Sequence, residues 1–153
     1  MAAEPDAAEL QIWNGIILST YAGAKGGLGA LGLVKEAKAS LEHALTLDAQ
    51  ALSGSAYTSL GSLYYQVPGW PVGFGDDEKA EALLQKALSI NPDGIDPNYF
   101  YGDYLARSKR FDEANAALEK ALQAPPRPGR QLADEGRKQD INALLKSISA
   151  QRQ

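Results

Sequence analysis

Apolar and small residues recur at helical spacing in three stretches of the chain, and the three align without gaps. They are EAKASLEHALTLDA from Glu36, KAEALLQKALSINP from Lys79 and EANAALEKALQAPP from Glu113. All carry Ala, Ala, Leu, Ala and Leu in register: Ala37, Ala39, Leu41, Ala44, Leu45, then Ala80, Ala82, Leu84, Ala87, Leu88, then Ala114, Ala116, Leu118, Ala121, Leu122. Steps of four, three and one residues put the first and third alanines and both leucines on one stripe of an α-helix, with Glu, Lys, Gln and Asn facing outward. Pro92 and Pro126 close the second and third helices, because proline lacks the backbone donor and clashes with the preceding turn; Ala49 stands in that place in the first.

Upstream of each stretch lies another predicted helix centred on a glycine: Gly15 in LQIWNGIILST, Gly61 in YTSLGSLYYQ and Gly102 in NYFYGDYLARS. A mid-helix glycine costs about 1 kcal/mol against alanine, so it needs a packing reason. The alanines of the following helix supply one in this reading, since two small faces let antiparallel helices cross closely. From Gly102, Ala114 follows after 12 residues, then Leu118, Ala121 and Pro126 after 4, 3 and 5. Gly61 to Ala80 is 19 residues, an insertion of 7, and Gly15 to Ala37 is 22, an insertion of 10. Beyond Pro128, Ile141, Leu144, Leu145 and Ile148 make one apolar face of a last helix, which caps the final pair.

This pattern resembles the tetratricopeptide (TPR) repeat family, whose units are helix-turn-helix pairs with a small residue in the first helix and Ala, bulky, Ala, Pro in the second. The resemblance implies an all-α fold, a right-handed superhelix of three such repeats plus a C-terminal capping helix. The expected boundaries are a flexible N-terminus over residues 1–8 and one domain over 9–150, with repeats at about 9–49, 54–92 and 95–126 and the cap at about 131–150.

The two insertions differ in composition. AGAKGGLGALGLV, from Ala22, contains a formal G-x-G-x-x-G at Gly27, Gly29 and Gly32. A dinucleotide site needs a strand before those glycines, and here a helix precedes them; no Lys-Ser or Lys-Thr follows to make a phosphate loop. A flexible connector is the expectation. VPGWPVGFGDDEKA, from Val67, is stiffened by Pro68 and Pro71, anchored by Trp70 and Phe74, and ends in Asp76 and Asp77, which can cap the next helix. It reads as a structural plug, with a ligand-contacting flap as the alternative. The stretch from Leu60 to Leu105 that contains this loop resembles a small family of bacterial TPR proteins related to the T component of TRAP transporters. That resemblance implies an exported, periplasmic protein that associates with a substrate-binding partner, against a cytoplasmic alternative. The chain has no cysteine and so no site for a lipid anchor.

Charge and chemistry narrow the picture. A net charge of -4 argues against nucleic acid as a partner, because phosphate binding needs clustered Lys and Arg. No apolar run approaches the roughly 20 residues that span a bilayer. His43 is the only histidine and aligns with Lys86 and Lys120, so it is expected at the surface. No metal site, cofactor or catalytic residue is expected, since no second histidine or any cysteine completes a site and no nucleophile-base pair can be assembled. Asp76, Asp77 and Glu78 lack the alternating donor spacing of a calcium loop.

The expected function is therefore a non-catalytic scaffold for a protein or peptide partner, with self-association possible. In a TPR stack the first helix of each pair lines the groove. Offsets from the glycines place Ile12, Ile16 and Ser19 there, then Thr58, Ser62, Tyr65 and Gln66, then Tyr99, Asp103, Ala106 and Arg107. Tyr65 and Arg107 are the strongest candidates, as residue types common at binding hot spots. The alternative is a small-molecule or lipid chaperone that uses the aromatic loop as a lid.

Overall fold

A computed structural model describes residues 6–27 and 29–152. Most of the expected flexible segment, residues 1–8, lies outside them. Asp6 accepts a hydrogen bond from the Glu9 N–H and caps a helix that begins at Ala7. The described residues form seven α-helices: α1 (Ala7–Lys25), α2 (Gly29–Leu47), α3 (Ser55–Gln66), α4 (Asp77–Ile90), α5 (Ile95–Arg107), α6 (Phe111–Leu122) and α7 (Gln131–Gln151). A short 3-10 turn, Ala51–Gly54, joins α2 to α3. The chain divides into two compact units, Met1–Ile90 and Asn91–Gln153. In the first, α1 pairs with α2 and α3 with α4, and α3 also packs on α1 and α2; in the second, α5 pairs with α6 and α7 covers both. Helices packed in adjacent pairs make this an all-α, TPR-like repeat fold.

Each pair closes by the same contact. A methyl group added to Gly15, Gly61 or Gly102 would lie 2.6, 2.7 and 2.7 Å from Cγ of Leu41, Leu84 and Leu118. The glycines therefore receive leucines, not alanines, which corrects the expected small-on-small crossing. The alanines flank the leucine instead: Ala37 and Ala44, Ala80 and Ala87, and Ala114 and Ala121 are all 0% exposed, like the three leucines. A buried leucine contributes roughly 1.5–3 kcal/mol over an exposed one, enough to offset the helix cost of the glycine that admits it. The second shared alanine, at Ala39, Ala82 and Ala116, faces solvent.

The third pair sets the standard hairpin. Gly102 stands five residues before the end of α5, and Ala114 three residues after the start of α6. Between them the chain turns at Lys109, which takes a left-handed φ of 60° while its N–H bonds to the Ala106 carbonyl and that of Arg110 to the Leu105 carbonyl. The second pair keeps both helical distances, five from Gly61 to Gln66 and three from Asp77 to Ala80, so its whole insertion falls in the loop between them. In the first pair the distances become ten, from Gly15 to Lys25, and eight, from Gly29 to Ala37. All ten inserted residues lengthen helices, five in each, which corrects the flexible connector expected there. The turn between α1 and α2 begins at Gly26 and Gly27, both at positive φ, and Leu28 lies outside the described residues.

The loop between α3 and α4 is closed tightly on itself. The Gly75 N–H donates to the Pro68 carbonyl at 2.9 Å and the Asp76 N–H to the Tyr64 carbonyl at 2.8 Å, while the Asp76 carboxylate accepts from the Lys79 N–H to cap α4. A side chain on Gly75 would run into the Val67 carbonyl oxygen, and one on Gly73 would lie 2.6 Å from that of Pro68. Gly75→Ala is therefore expected to force the loop open and cost about 1–3 kcal/mol. Hydrogen exchange checks this: the Gly75 and Asp76 amides should exchange at least about tenfold faster than in the parent chain.

The end of α6 also departs from expectation. It stops at Leu122, four residues before Pro126, with the Gln123 and Ala124 N–H groups bonded to the Lys120 and Ala121 carbonyls. On α4 the helix ends at Ile90, directly before Asn91-Pro92. In α7, Ile141 and Ile148 are buried and Leu144 and Leu145 half-buried.

Candidate binding surfaces

On a helix turning about 100° per residue, the glycine direction marks the partner helix, and exposure grows with the angle from it on one side only, since the other side carries the buried Leu60 and Leu63 on α3 and the buried Tyr104 and Leu105 on α5. Residues three before the glycine lie about 60° from it, inside the pair. That is why Ile12 is 0% and Thr58 5% exposed. Tyr99, at the same place on α5, is half-buried, and Ala106, four residues after its glycine, is buried. These four expected groove positions are thus mainly packing positions. Residues five after the glycine lie about 140° away, and they are the exposed ones: Gln66 on α3 and Arg107 on α5.

In the first unit, Ser62 and Tyr65 are half-buried beside Gln66. The Ser62 hydroxyl donates to the Ser59 carbonyl at 2.8 Å, and the Gln66 amide approaches the Tyr65 hydroxyl at 3.4 Å. These residues present a short polar and aromatic strip on α3. In the second unit, Arg107 extends into solvent with its Nε 3.3 Å from Asp103 Oδ2, one turn back on α5. Its side chain is 56% exposed and that of Asp103 only 13%, so the carboxylate orients a cation that stays accessible.

Tyr99 serves the capping helix. The Arg137 guanidinium from α7 lies 4.6 Å from the Tyr99 ring centre and 4.9 Å from that of Phe100, and the two rings meet edge to face. Burial, with the nearby Asp103 carboxylate, raises the Tyr99 hydroxyl above the usual tyrosine value. The same Arg137 donates to Asp96 at 2.9 Å, and Asp96 also pairs with Arg127 at 3.3 Å. Arg127 in turn gives its backbone N–H and its Nε to Asp134, at 2.9 and 2.6 Å. Sequence reasoning missed this chain of ions, because its members stand up to 41 positions apart and no local pattern joins them. It also missed Asn98, which is 3% exposed and donates to the Pro92 and Gly94 carbonyls. The Pro, Asp and Gly run ahead of α5 was the available signal for a residue that fixes a turn.

The two aromatic residues of the insertion loop do different jobs. Phe74 turns in and meets Tyr64 edge to face at 5.3 Å, with the Lys38 ammonium 5.6 Å from its ring. The Glu42 carboxylate beside Lys38 raises its ammonium above the usual lysine value. Trp70 turns out and is 90% exposed, followed by Val72 at 56%. The loop thus carries one anchor and one offered ring. His43 is exposed, level with Lys86 and Lys120 in the other pairs.

No described helix is long and apolar enough to cross a membrane. A search of curated proteins finds no match to the chain. Residues 73–134, from the end of the insertion loop through α4, α5 and α6 into α7, match the family model for the tetratricopeptide repeat, and with the paired helices this supports a TPR-like protein.

Proposed function

We propose that the chain is a non-catalytic scaffold that captures a protein or peptide partner on the outer faces of its first helices. The observation that carries this reading is the tetratricopeptide match over residues 73–134, since repeats of this kind generally mediate protein-protein interaction. On α3 the contacting residues are Ser62, Tyr65 and Gln66. On α5 they are Asp103 and Arg107, whose side chain is 56% exposed and suited to a carboxylate on the partner. Trp70, exposed on the loop that follows α3, adds an aromatic side chain of a type common at binding hot spots. The likeness of the Leu60 to Leu105 stretch to T-component proteins supports a finer reading, a periplasmic adaptor in an envelope transport complex.

The experiment is capture by affinity-tagged chain from native envelope extract, identification of the partner, and titration of that partner against variants. Tyr65→Ala and Arg107→Glu are each expected to weaken the identified partner by about tenfold or more, with helix content and melting temperature kept. Unchanged affinity in both variants overturns the assigned faces.

A further inference from the structure

Helix α1 carries an apolar stripe in water. Leu10, Trp13, Ile17 and Tyr21 follow one another at three, four and four residues and are 56%, 39%, 64% and 57% exposed. These steps keep all four within an arc of about 80°. The arc lies opposite the face that buries Ala8, Ile12, Gly15 and Ala22 in the pair with α2. Between Glu9 and Lys25 the helix bears no charged side chain.

The repeat shows what such a face is for. The corresponding positions in the second pair, 46 residues on, are Ala56, Ser59 and Leu63 on α3 and Val67 just past its end; Ala56, Leu63 and Val67 are buried and Ser59 is half-buried, in a helix that packs on α1 and α2 as well as on α4. What α3 gives to another helix pair, α1 leaves in solvent. The four α1 side chains expose on the order of 400 Å² of apolar surface, the size of the largest such patch on a typical monomer, where it is often functional. Among the described residues, the other exposed large apolar side chains, Leu47, Leu52, Trp70, Val72 and Leu132, are scattered over different elements and form no second stripe of this length.

We infer that the occupant of the α1 stripe is the α1 stripe of a second copy, in an antiparallel two-fold pair. The face is self-complementary in that arrangement: Leu10 of one copy meets the Tyr21 end of the other, large rings alternate with aliphatic side chains, and the helix dipoles oppose. A head-to-tail stack on α7 is the poorer match, because its solvent face presents Gln139, Asn142, Lys146 and Ser149. Two stripes with their flanking residues bury on the order of 1,200 Å² in total, the lower bound of stable protein interfaces. Ile17 sits at the middle of the contact.

Light scattering and sedimentation of the purified chain read the mass directly. The expected result is a dimer of 16.3 kDa chains that dissociates with dilution, and a monomer of unchanged helix content for Ile17→Glu. The absence of cysteine permits a second reading: Ile17→Cys should form a covalent pair under mild oxidation, while Leu47→Cys, exposed on α2, should not. Should Ile17→Glu fail to fold, the cross-link decides. A parent chain that stays monomeric at high micromolar concentration, a folded Ile17→Glu that still dimerises, or an Ile17→Cys chain that gives no covalent pair overturns the inference, and monomers would assign the stripe to a different chain.

Discussion

Gly61→Ala should destabilise the parent chain by about 1–2 kcal/mol, yet stabilise the Leu84→Ala variant by about 1 kcal/mol. The reversal follows from one contact. In the parent, the new methyl carbon would lie 2.7 Å from Leu84 Cγ and 3.3 Å from the Ala80 carbonyl oxygen, so the overlap outweighs what alanine gains over glycine in a helix. Leu84 is 0% exposed and cannot move aside without displacing its neighbours. Leu84→Ala alone is expected to cost about 2–5 kcal/mol through lost burial and the cavity left behind. Once that cavity exists the Gly61 methyl fills part of it, and the better helix propensity of alanine is realised. Urea denaturation of the four proteins in the cycle measures the coupling. Additive effects would mean that the glycine and leucine do not meet. The same cycle at Gly102 and Leu118 should give the same sign, because the contact distance repeats there.

That contact marks the boundary of what the chain discloses before folding. The stripe of Ala37, Leu41 and Ala44 and its two repeats was legible, because burial of one helix face imposes the same spacing whatever lies opposite. Which residue fills the glycine was not, since both alanine and leucine share the stripe and only the rotation of the two helices chooses between them. The first insertion was misread for a different reason. Five glycines between Gly23 and Gly32 suggest a loop by propensity alone. Yet Ala22 is buried and Leu31, Leu33 and Val34 are half-buried, and this burial on the opposing helix outweighs the propensity cost of Gly23 and Gly32, which face open space. In the second insertion Pro68 and Pro71 remove that option, so its extra residues remain loop. Among the surface residues, the offset from glycine was informative at five residues and misleading at three before it. The side and angle around the helix, not distance along the chain, decide exposure: Ala56 lies as far round from Gly61 as Gln66 does, on the opposite side, and is buried. The ions around α7 left no trace in local sequence at all.

Those ions set the acid behaviour of the cap. Burial alone would raise the Asp134 carboxyl, but the backbone N–H and guanidinium of Arg127 outweigh it and hold the group below its ordinary value of 3.8. A carboxylate whose folded value is depressed stabilises the fold fully above its unfolded value and loses that contribution as pH falls through the folded one. The second unit should therefore weaken as the pH drops below about 4, with α7 the first helix to detach. At neutral pH, Asp134→Ala should cost about 2–4 kcal/mol, because its removal strands the Arg127 guanidinium beside α7 and loosens the pair that Arg127 makes with Asp96. Asp134→Asn separates charge from shape: it should lower the melting temperature at pH 7 but leave a shallower loss between pH 7 and acid than the parent shows. Glu113 supplies a control. The Arg110 guanidinium lowers its carboxyl too, but at an exposed site, so Glu113→Gln should change the acid slope little. Melting curves of the three proteins across that range, read beside hydrogen exchange in Gln131–Gln151, decide the matter. A parent chain and an Asp134→Asn variant with parallel acid profiles would show that the Arg127 contact does not fasten the cap.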